Sequence, residues 1–301
     1  MGTMTWGSPS GLARFTPAKL SYGGADGADE ESRAFEVSMA AGATLFDTAA
    51  MYSNGASEAR LGELARGTAA VLATKFPPGP RGTTDDLPAA LEASLTRLGR
   101  DRVDLYQHHY PSRRVDIARL MHLMADGVAA GKVTAVGVSN YSAAQTRVAH
   151  AALAERGVAL ASNQVQYSLL HRDPETNGVL DACRELGITL IAYQPLASGA
   201  LTGKYLTGAR PRGLRRFTPT FRRRNTEAIG AVVALVREIA ARHGVDTTPI
   251  ALAWLMAQDS VLPIPGAKNA RQAAANATAL TVHLSTDEVA ALDAATVGWR
   301  H

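Results

Sequence analysis

The sequence has a single cysteine and no long apolar segment, and each scarcity excludes a class of protein. Cys183 is the one cysteine in 301 residues, so no intramolecular disulfide can form and a reducing compartment is favoured. No run of about eighteen apolar residues occurs, which a membrane-spanning helix would need. No charged-then-apolar leader opens the chain either. We therefore expect a cytoplasmic protein with no membrane partner, and we interpret Cys183 as a core residue.

The chain also lacks a large excess of charge of either sign. The chain carries 31 basic and 27 acidic residues, a net charge of +4, and its 46% apolar and 19% charged composition is typical of a soluble globular protein. So small an excess does not indicate a nucleic-acid partner. The positive charge clusters once, in residues 210–224 ("RPRGLRRFTPTFRRR"), which hold seven arginines. We interpret this stretch as a solvated loop, with a site for a phosphate-bearing ligand as the alternative.

A third absence concerns the fold. Short apolar runs that resemble strands alternate with segments of helical period, which predicts a parallel sheet flanked by helices. An open sheet that binds a dinucleotide would carry G-x-G-x-x-G after its first strand, and no such pattern occurs. We count eight strands and predict a single-domain (β/α)₈ barrel, a TIM barrel of the α/β class, over residues 1–301. The predicted strands cover residues 2–7, 44–46, 69–74, 103–107, 133–138, 160–165, 189–193 and 261–264.

Polar residues end these strands, at the face where such a barrel carries its active site. They are Asp47, Lys75, His108, His109, Ser139, Asn140, Asn163, Gln164, Tyr193 and Lys268. Each alone has an ordinary explanation; Ser139 and Asn140, for example, would cap a helix predicted over residues 141–155. Asp47, Lys75 and a histidine nevertheless end three successive strands, and Tyr52 follows Asp47 after a short loop. We expect these side chains to converge.

That convergence suits proton transfer to an oxygen. A free tyrosine has a pKa of about 10, which a nearby ammonium lowers. A carboxylate would hold the ammonium charged and in place, and a neutral histidine beside the phenol would orient a carbonyl oxygen. Tyr52 would then be a general acid for an oxygen that becomes negative during reduction. Nothing in the cluster is a hydride source, so a cofactor is implied.

Eight pieces of the chain, in order, closely resemble the aldo-keto reductase superfamily. They are "GTMTWG", "LFDTAAMYSNGASEARLGE", "ATKF", "DLYQHHYP", "GKVTAVGVSNYS", "NQVQYSLLHR", "AYQPLASGALTGKY" and "PIPGAKNARQAAANATAL". The resemblance implies NADPH-dependent reduction of an aldehyde or ketone and a catalytic tetrad of Asp47, Tyr52, Lys75 and His109. His109 is preferred to His108 because the tetrad histidine of the "DLYxxH" pattern follows its aspartate, here Asp104, by five residues.

The same resemblance implies where the cofactor NADPH (NADP+) would bind. Ser139, Asn140 and Gln164 would hold the nicotinamide carboxamide, and Tyr193 would stack on the ring. The pyrophosphate would lie along Gln194, Pro195, Leu196, Ala197, Ser198 and Lys204. The adenosine end would contact Gly266, Lys268, Gln272 and Asn276, and further cofactor contacts are expected from Thr3, Met4 and Asp47. Lys268 and the arginine-rich stretch would face a 2′-phosphate.

The substrate is the least specified part. We expect Trp6, Tyr52, His109, Tyr110 and the arginine-rich stretch to line its pocket. The segments "LTGKY…PRGLRRF" and "PIPGAKNARQA" look most like a branch that includes pyridoxal reductases, so pyridoxal or another small or aromatic aldehyde is the leading candidate for the carbonyl partner.

Two other functions remain open at this point, and no metal is expected. A cofactor-binding sensor or interaction subunit, as in the potassium-channel β subunits, would keep the same tetrad. A barrel lyase or aldolase would use Lys75 as a Schiff-base amine, although Asp47 would keep that amine protonated. The adjacent pair His108-His109 has no metal-ligand spacing and no second cluster supports it. The oligomeric state is left open.

Overall fold

Seven parallel strands form one sheet in the computed structural model, which describes residues 1–8, 27–76, 86–112, 114–205, 219–222 and 225–300. Strands adjacent in the sheet are also consecutive in the chain, and every pair is parallel. The predicted α/β class is thereby confirmed. The strands are β1 (Leu45–Asp47), β2 (Val71–Phe76), β3 (Val103–His108), β4 (Val133–Ser139), β5 (Leu160–Gln166), β6 (Thr189–Tyr193) and β7 (Val261–Pro263).

Helices follow the strands and bury apolar residues spaced three to four apart. On the helix Leu87–Leu98 these are Leu87, Leu91, Leu95 and Leu98. Cys183 is fully buried on the helix Val179–Glu185, which confirms it as a core residue. The helices are α1 (Ala28–Ala40), α2 (Ala56–Leu64), α3 (Leu87–Leu98), α4 (Ile117–Ala129), α5 (Ala143–Ala154), α6 (Val179–Glu185), α7 (Thr226–His243), α8 (Thr247–Met256), α9 (Ala270–Thr278) and α10 (Thr286–Ala295).

The predicted first strand, residues 2–7, does not form as a strand. Only Gly2 makes β-bridges, one to Asp47 and one to Gly266, both parallel, so it contacts the two ends of the sheet. The extended backbone stops there because the Trp6 N–H donates to the Thr3 carbonyl at 2.9 Å and closes a turn. Gly7 then adopts φ 76°, and a Cβ there would lie 2.3 Å from the carbonyl oxygen of Ala56.

The connection from β6 to β7 differs from expectation as well. The sequence predicts a long loop over residues 195–260, but α7 and α8 occupy its second half. Helix α7 forms because Ile229, Val232, Val233 and Val236 fall on one face and are buried together. Of the arginine-rich stretch, residues 210–224, the structure describes only residues 219–222. The predicted role of the stretch in binding a phosphate or the substrate therefore falls on residues outside the described part.

Helix α5 begins at Ala143, two residues later than the sequence predicts. Ser142, rather than Ser139 or Asn140, is the N-cap, and its hydroxyl accepts from the Gln145 N–H while the Gln145 side chain accepts from the Ser142 N–H. This reciprocal pair satisfies two N–H groups at the helix end. Ser139 and Asn140 therefore do not cap this helix.

Alternation along the strands produces an apolar layer beneath a polar one. Ala73, Leu105, Ile191 and Ile264 form a small cluster, with Leu45 packed against it, separate from the large core that the helices cover. Two residues further along the strands, and so on the same face, stand the polar side chains. These are Asp47 after Leu45, Lys75 after Ala73, Gln107 after Leu105 and Tyr193 after Ile191. Strand period thus brings the polar residues together at the carboxyl ends.

A buried arginine ties the carboxyl-terminal segment to the chain that follows β5. Arg172 is 1% exposed, and its Nε and Nη2 donate to the Glu175 carboxylate at 2.6 and 2.7 Å. Its Nη1 donates to the carbonyl of Asp293 at 2.9 Å and the hydroxyl of Thr296 at 2.7 Å. The guanidinium carbon lies 5.1 Å from the ring centroid of Trp254. Arg172 therefore bridges residues more than a hundred positions apart.

We predict that Arg172→Met lowers the free energy of unfolding by about 1.5–3 kcal/mol, because the Glu175 carboxylate loses its bidentate partner and keeps Arg300 and the Tyr167 hydroxyl. Urea denaturation followed by far-ultraviolet circular dichroism measures this. Arg147→Ala is the matched control: Arg147 pairs with Glu185 at the surface, with side chains 44% and 60% exposed, and should cost less than about 1 kcal/mol. Equal effects of the two substitutions would contradict the role given to Arg172.

Candidate active site

A cavity of about 1220 Å³ opens at the carboxyl ends of the strands and continues between the β7–α9 connection and the α7–α8 junction. Most of the predicted site residues line it. They are Met4, Asp47, Tyr52, His109, Tyr110, Ser139, Asn140, Gln164, Tyr193, Gln194, Pro195, Leu196, Ser198, Lys204, Gly266, Lys268, Gln272 and Asn276. The structure thus brings together side chains from seven separate segments of the chain.

Four predicted site residues do not line the cavity. Trp6, expected at the substrate, is fully buried in the core and its indole N–H donates to the Ala267 carbonyl at 2.7 Å, so that prediction is corrected. Thr3 is equally buried, with its hydroxyl 3.1 Å from the carbonyl of Asp47. Ala197 turns into the core with 4% exposure. Lys75 is fully buried just beneath the cavity wall.

The Asp47–Lys75 ion pair lies at the base of the site, and the predicted contact between the two is present. The Lys75 ammonium donates to Asp47 Oδ1 and, at 2.8 Å, to the carbonyl of Thr48. Lys75 is fully buried and the Asp47 side chain is 3% exposed. Desolvation of two charges is costly unless their remaining hydrogen-bonding positions are filled. The carboxylate therefore needs further donors.

Two glutamines supply those donors. Gln164 and Gln107 direct their side-chain N–H groups to Asp47 Oδ2 at 2.9 and 3.1 Å, and Gln164 Nε2 also donates to Gln107 Oε1 at 3.1 Å. Gln107 was missed by the sequence reasoning, which stopped at the histidines that follow it. Its signal was present in the strand alternation, because Gln107 shares a face with Leu105 and lies beside Lys75 in register.

Tyr52 stands over the ion pair. Its ring centroid lies 5.1 Å from Lys75 Nζ and 5.8 Å from the imidazole centroid of His109, with the two rings perpendicular. Burial raises the pKa of the phenol well above its ordinary value, and the Asp47 carboxylate and then Tyr110 add to the rise. The sequence reasoning predicted a lowered pKa from the ammonium, and that direction was wrong because desolvation dominates. The phenol stays protonated.

The two adjacent histidines have different surroundings. His109 lines the cavity, is stacked on Tyr110 with centroids 4.3 Å apart, and has a pKa lowered to about 3 by burial and then by Lys75 and His108. His108 points away, with Nδ1 2.8 Å from the hydroxyl of Tyr141, and burial lowers its pKa to about 4. Both imidazoles are therefore neutral near pH 7, as the chemistry proposed for the histidine requires.

Hydrogen bonds and strained backbone hold the cavity wall on the side of β4 to β6. The Tyr193 hydroxyl donates to Asn140 Oδ1 at 2.9 Å, and Asn140 Nδ2 donates to the His109 carbonyl at 3.1 Å. Asn140, Gln194, Ala197 and Ser198 all have φ between 47° and 61°, the left-handed region that non-glycine residues seldom occupy. Such strain clusters where the surrounding structure shapes a ligand site.

Cationic side chains line the far part of the cavity, towards α7 and α9. They are Lys204, Arg237, Lys268 and Arg271, and among the described lining residues Asp246 is the one carboxylate at that end. Arg237 and Arg271 were not predicted. Arg271 belongs to the quoted "NARQ" piece and could have been suspected, whereas Arg237 lies within α7 and carries no local signal. A long cleft with amides and an aromatic ring at one end and cations at the other fits a phosphate-bearing dinucleotide.

Comparison with known proteins assigns the chain to a family. The sequence profile of the Aldo/keto reductase family matches residues 1–297. The chain belongs to this family. It is therefore an NAD(P)H-dependent oxidoreductase that interconverts carbonyls and alcohols.

Individual relatives cover nearly the whole of this aldo-keto reductase. An uncharacterized oxidoreductase of Mycobacterium tuberculosis is 40% identical over 268 residues, 87% of this chain and 80% of that protein. The chloroplastic pyridoxal reductase of Arabidopsis thaliana is 35% identical over 306 residues, 95% of this chain and 80% of that one. The crystal structure of an aldo-keto reductase from Klebsiella pneumoniae in complex with NADPH is 28% identical, with a TM-score of 0.73 over 89% of this chain and 85% of that one.

Within the described residues of the reductase, no group of three or more histidine, cysteine or acidic side chains is arranged to hold a metal ion. Across the same residues, no helix is both long enough and apolar enough to cross a membrane.

Because its histidines His108 and His109 are buried and neutral, we predict that the free energy of unfolding of the reductase falls in acid. An unfolded histidine has a pKa of about 6.5, whereas folded His108 has a pKa of about 4. Between these values the unfolded chain binds a proton that the folded chain does not, so the free energy of unfolding falls as pH falls. His108→Gln should reduce this slope by up to about 1.4 kcal/mol per pH unit between pH 6 and 4.5.

Urea denaturation at several pH values measures the slope. His122→Gln is the matched control, because it removes a histidine that lies at the surface beside Glu155 and not in the core. A parent-like slope in His108→Gln would show that His108 does not resist protonation in the folded protein.

Proposed function

We propose that this aldo-keto reductase uses NADPH to reduce an aldehyde or ketone to its alcohol, with Tyr52 as the proton donor. The observation that carries the proposal is the position of the Tyr52 phenol: it is held protonated at the cavity, above the Asp47–Lys75 pair and beside neutral His109. A group that must give a proton to a developing alkoxide has to be protonated when the substrate arrives.

The cavity supports the proposed cofactor assignment. Ser139, Asn140 and Gln164 would contact the nicotinamide carboxamide, with Tyr193 against the ring, and Met4 lines the same end. The pyrophosphate would follow Gln194 to Ser198 and Lys204, and the adenosine end would meet Gly266, Lys268, Gln272 and Asn276. When bound, the reduced nicotinamide supplies a hydride to the carbonyl carbon. The NADPH complex of the Klebsiella relative supports the choice of NADPH.

Each remaining tetrad member has a role in moving one proton. The Tyr52 hydroxyl donates its proton to the substrate oxygen, which becomes the alcohol oxygen. The Lys75 ammonium stabilises the phenolate left on Tyr52, and Asp47 keeps the ammonium charged and in place with help from Gln107 and Gln164. Neutral His109 orients the carbonyl without adding a second positive charge.

The same contacts weigh against a Schiff-base lysine. Lys75 is buried, bonded to the Asp47 carboxylate and the Thr48 carbonyl, and so is held as an ammonium that has no lone pair to attack a carbonyl. Hydride reduction needs that ammonium, whereas an aldolase would need the neutral amine.

The substrate side of the cavity favours a small or aromatic aldehyde, of which pyridoxal is the leading candidate. Tyr110 is 45% exposed at the mouth and stacks on His109, so it offers a flat surface beside the reacting groups. The similarity to the Arabidopsis pyridoxal reductase supports pyridoxal as the first compound to test.

We also propose that the sheet closes into a single-domain (β/α)₈ barrel, with residues 2 and 3 in the place of the eighth strand. The Gly2 N–H donates to the Pro265 carbonyl and the Thr3 N–H to the Asp47 carbonyl, both at 2.9 Å. These bonds reach the β7 and β1 sides of the sheet in turn, which is what a closing strand would do.

Replacing Tyr52 tests the function directly. Tyr52→Phe keeps the ring but removes the proton donor, so kcat for aldehyde reduction should fall by about 100-fold or more while the Kd for NADPH stays within twofold. Loss of absorbance at 340 nm across a panel of aldehydes that includes pyridoxal measures turnover, and quenching of protein fluorescence measures binding. Parent-like reduction by Tyr52→Phe would overturn the assignment.

Cofactor choice is tested at the cationic end of the cavity. Lys268→Met should raise the Kd for NADPH about tenfold and the Kd for NADH less than threefold, because only NADPH carries the 2′-phosphate that a cation would pair with. Lys132→Met is the matched control, since Lys132 pairs with Glu92 at the surface away from the cavity. Equal increases in the Kd for NADPH and the Kd for NADH would show that Lys268 does not contact the 2′-phosphate.

A further inference from the structure

The turn that carries Tyr52 has an unusual backbone. It spans Tyr52–Gly55, and three successive residues are left-handed: Ser53 with φ 51°, Asn54 with φ 55° and Gly55 with φ 86°. Ser53 and Asn54 are not glycines, and such conformations cost about 1–3 kcal/mol each unless neighbouring structure enforces them. The Ser53 hydroxyl is also buried without a hydrogen-bond partner among the described residues. Something outside the turn must therefore hold it.

The neighbour that abuts the turn is Arg97, in the last turn of α3. A Cβ on Gly55 would lie 2.6 Å from Arg97 Cδ and 2.8 Å from its Nε, so the arginine side chain packs directly against the Gly55 backbone. Only glycine permits this approach. The contact is between an arginine on one helix and the residue three positions after Tyr52.

Arg97 is itself held by a buried carboxylate. Its Nε donates to Glu58 Oε2 at 2.6 Å, and its Nη2 donates to the Ser94 hydroxyl at 3.2 Å. Glu58 is fully buried on α2, which begins where the turn ends, and Arg97 is 31% exposed. Glu58 Oε1 accepts a 2.6 Å hydrogen bond from the hydroxyl of Thr74.

Thr74 closes the network onto the strand that carries Lys75. The two residues are consecutive on β2 and point to opposite faces, so Thr74 meets α2 while Lys75 enters the site. The chain of contacts therefore runs from Gly55 through Arg97 and Glu58 to Thr74. It joins the Tyr52 turn to the Lys75 strand from behind the cavity, with no member touching the cavity.

We propose that Arg97, held by Glu58, is a positioning residue that fixes the Tyr52 hydroxyl over Lys75. Its role rests on the proposed function of Tyr52 as proton donor. A displacement of about 1 Å at a reacting group can cost about 100-fold in rate. Release of the turn should therefore slow the chemical step while leaving the cofactor cleft, which Arg97 does not touch, intact.

The test is a double-mutant cycle between Arg97 and Tyr52. Arg97→Ala is combined with Glu58→Gln, so that no buried carboxylate is left unpaired. In the parent background this pair of changes should lower kcat at least tenfold, where kcat is expressed per cofactor-binding site. The Kd for NADPH should stay within twofold of the parent value. In the Tyr52→Phe background it should lower the residual rate less than twofold, because a misplaced phenylalanine has no proton to misdirect.

Controls separate positioning from loss of fold. Arg100→Ala removes the arginine just beyond the end of α3, where it donates to the Ala65 carbonyl at 2.7 Å, and should leave kcat unchanged. Arg97→Lys keeps the cation opposite Glu58 and should restore part of kcat. If the combined variant does not fold, Arg97→Lys replaces it in the double-mutant cycle. Arg97→Lys should then lower kcat threefold or more in the parent background and leave the residual rate of Tyr52→Phe unchanged.

The outcomes are distinct. A parent-like kcat in the Arg97 variants, or an equal loss in both backgrounds, overturns the positioning role. If Tyr52→Phe itself reduces aldehydes at the parent rate, the proposed function fails first, and that result is seen before any Arg97 variant is compared.

Discussion

The buried Asp47–Lys75 ion pair is the constraint on which the rest of the site depends. Two charges removed from water are stable only if nearly every remaining hydrogen-bonding position is occupied. Here β1 provides the carboxylate, β2 the ammonium, and β3 and β5 the two glutamines that complete the carboxylate. The pair therefore requires the correct register of four strands, and the apolar layer around Ala73 and Leu105 keeps water from reaching it from below.

Burial of that pair also sets the electrostatics of the groups above it. The same low-dielectric surroundings keep the Tyr52 phenol protonated and His109 neutral. In the proposed reaction the Lys75 ammonium would lie beneath the reacting oxygen, where it would favour the phenolate after the proton has left. A protonated phenol suits a group proposed to give a proton during reduction rather than to start as an ionised tyrosine. In the same proposal, the backbone turn and Arg97 behind it would position the phenol.

Much of this arrangement could be predicted from particular residues. Asp47, Lys75 and the histidines end consecutive apolar runs, and parallel strands bring their carboxyl ends to one edge. The sequence reasoning failed where a side chain's environment decides its role. Trp6 looked like a pocket residue but is a core residue, because the turn closed by the Thr3 carbonyl directs it inward. Gln107 was not predicted as a site residue, yet its side chain donates to the Asp47 carboxylate of the ion pair.

The sequence by itself determined the order of the seven strands that form, the family resemblance, and which polar residues stand at the strand ends. These follow from local periodicity and from motifs that can be recognised within a few residues of each other. Three features were decided by the tertiary structure alone. Burial raises the pKa of Tyr52, where the sequence predicted that the ammonium would lower it. Arg97 packs on Gly55, and Gln164 contacts Asp47, which lies 117 residues earlier in the chain. Desolvation and contact depend on neighbours in space, which local sequence does not specify.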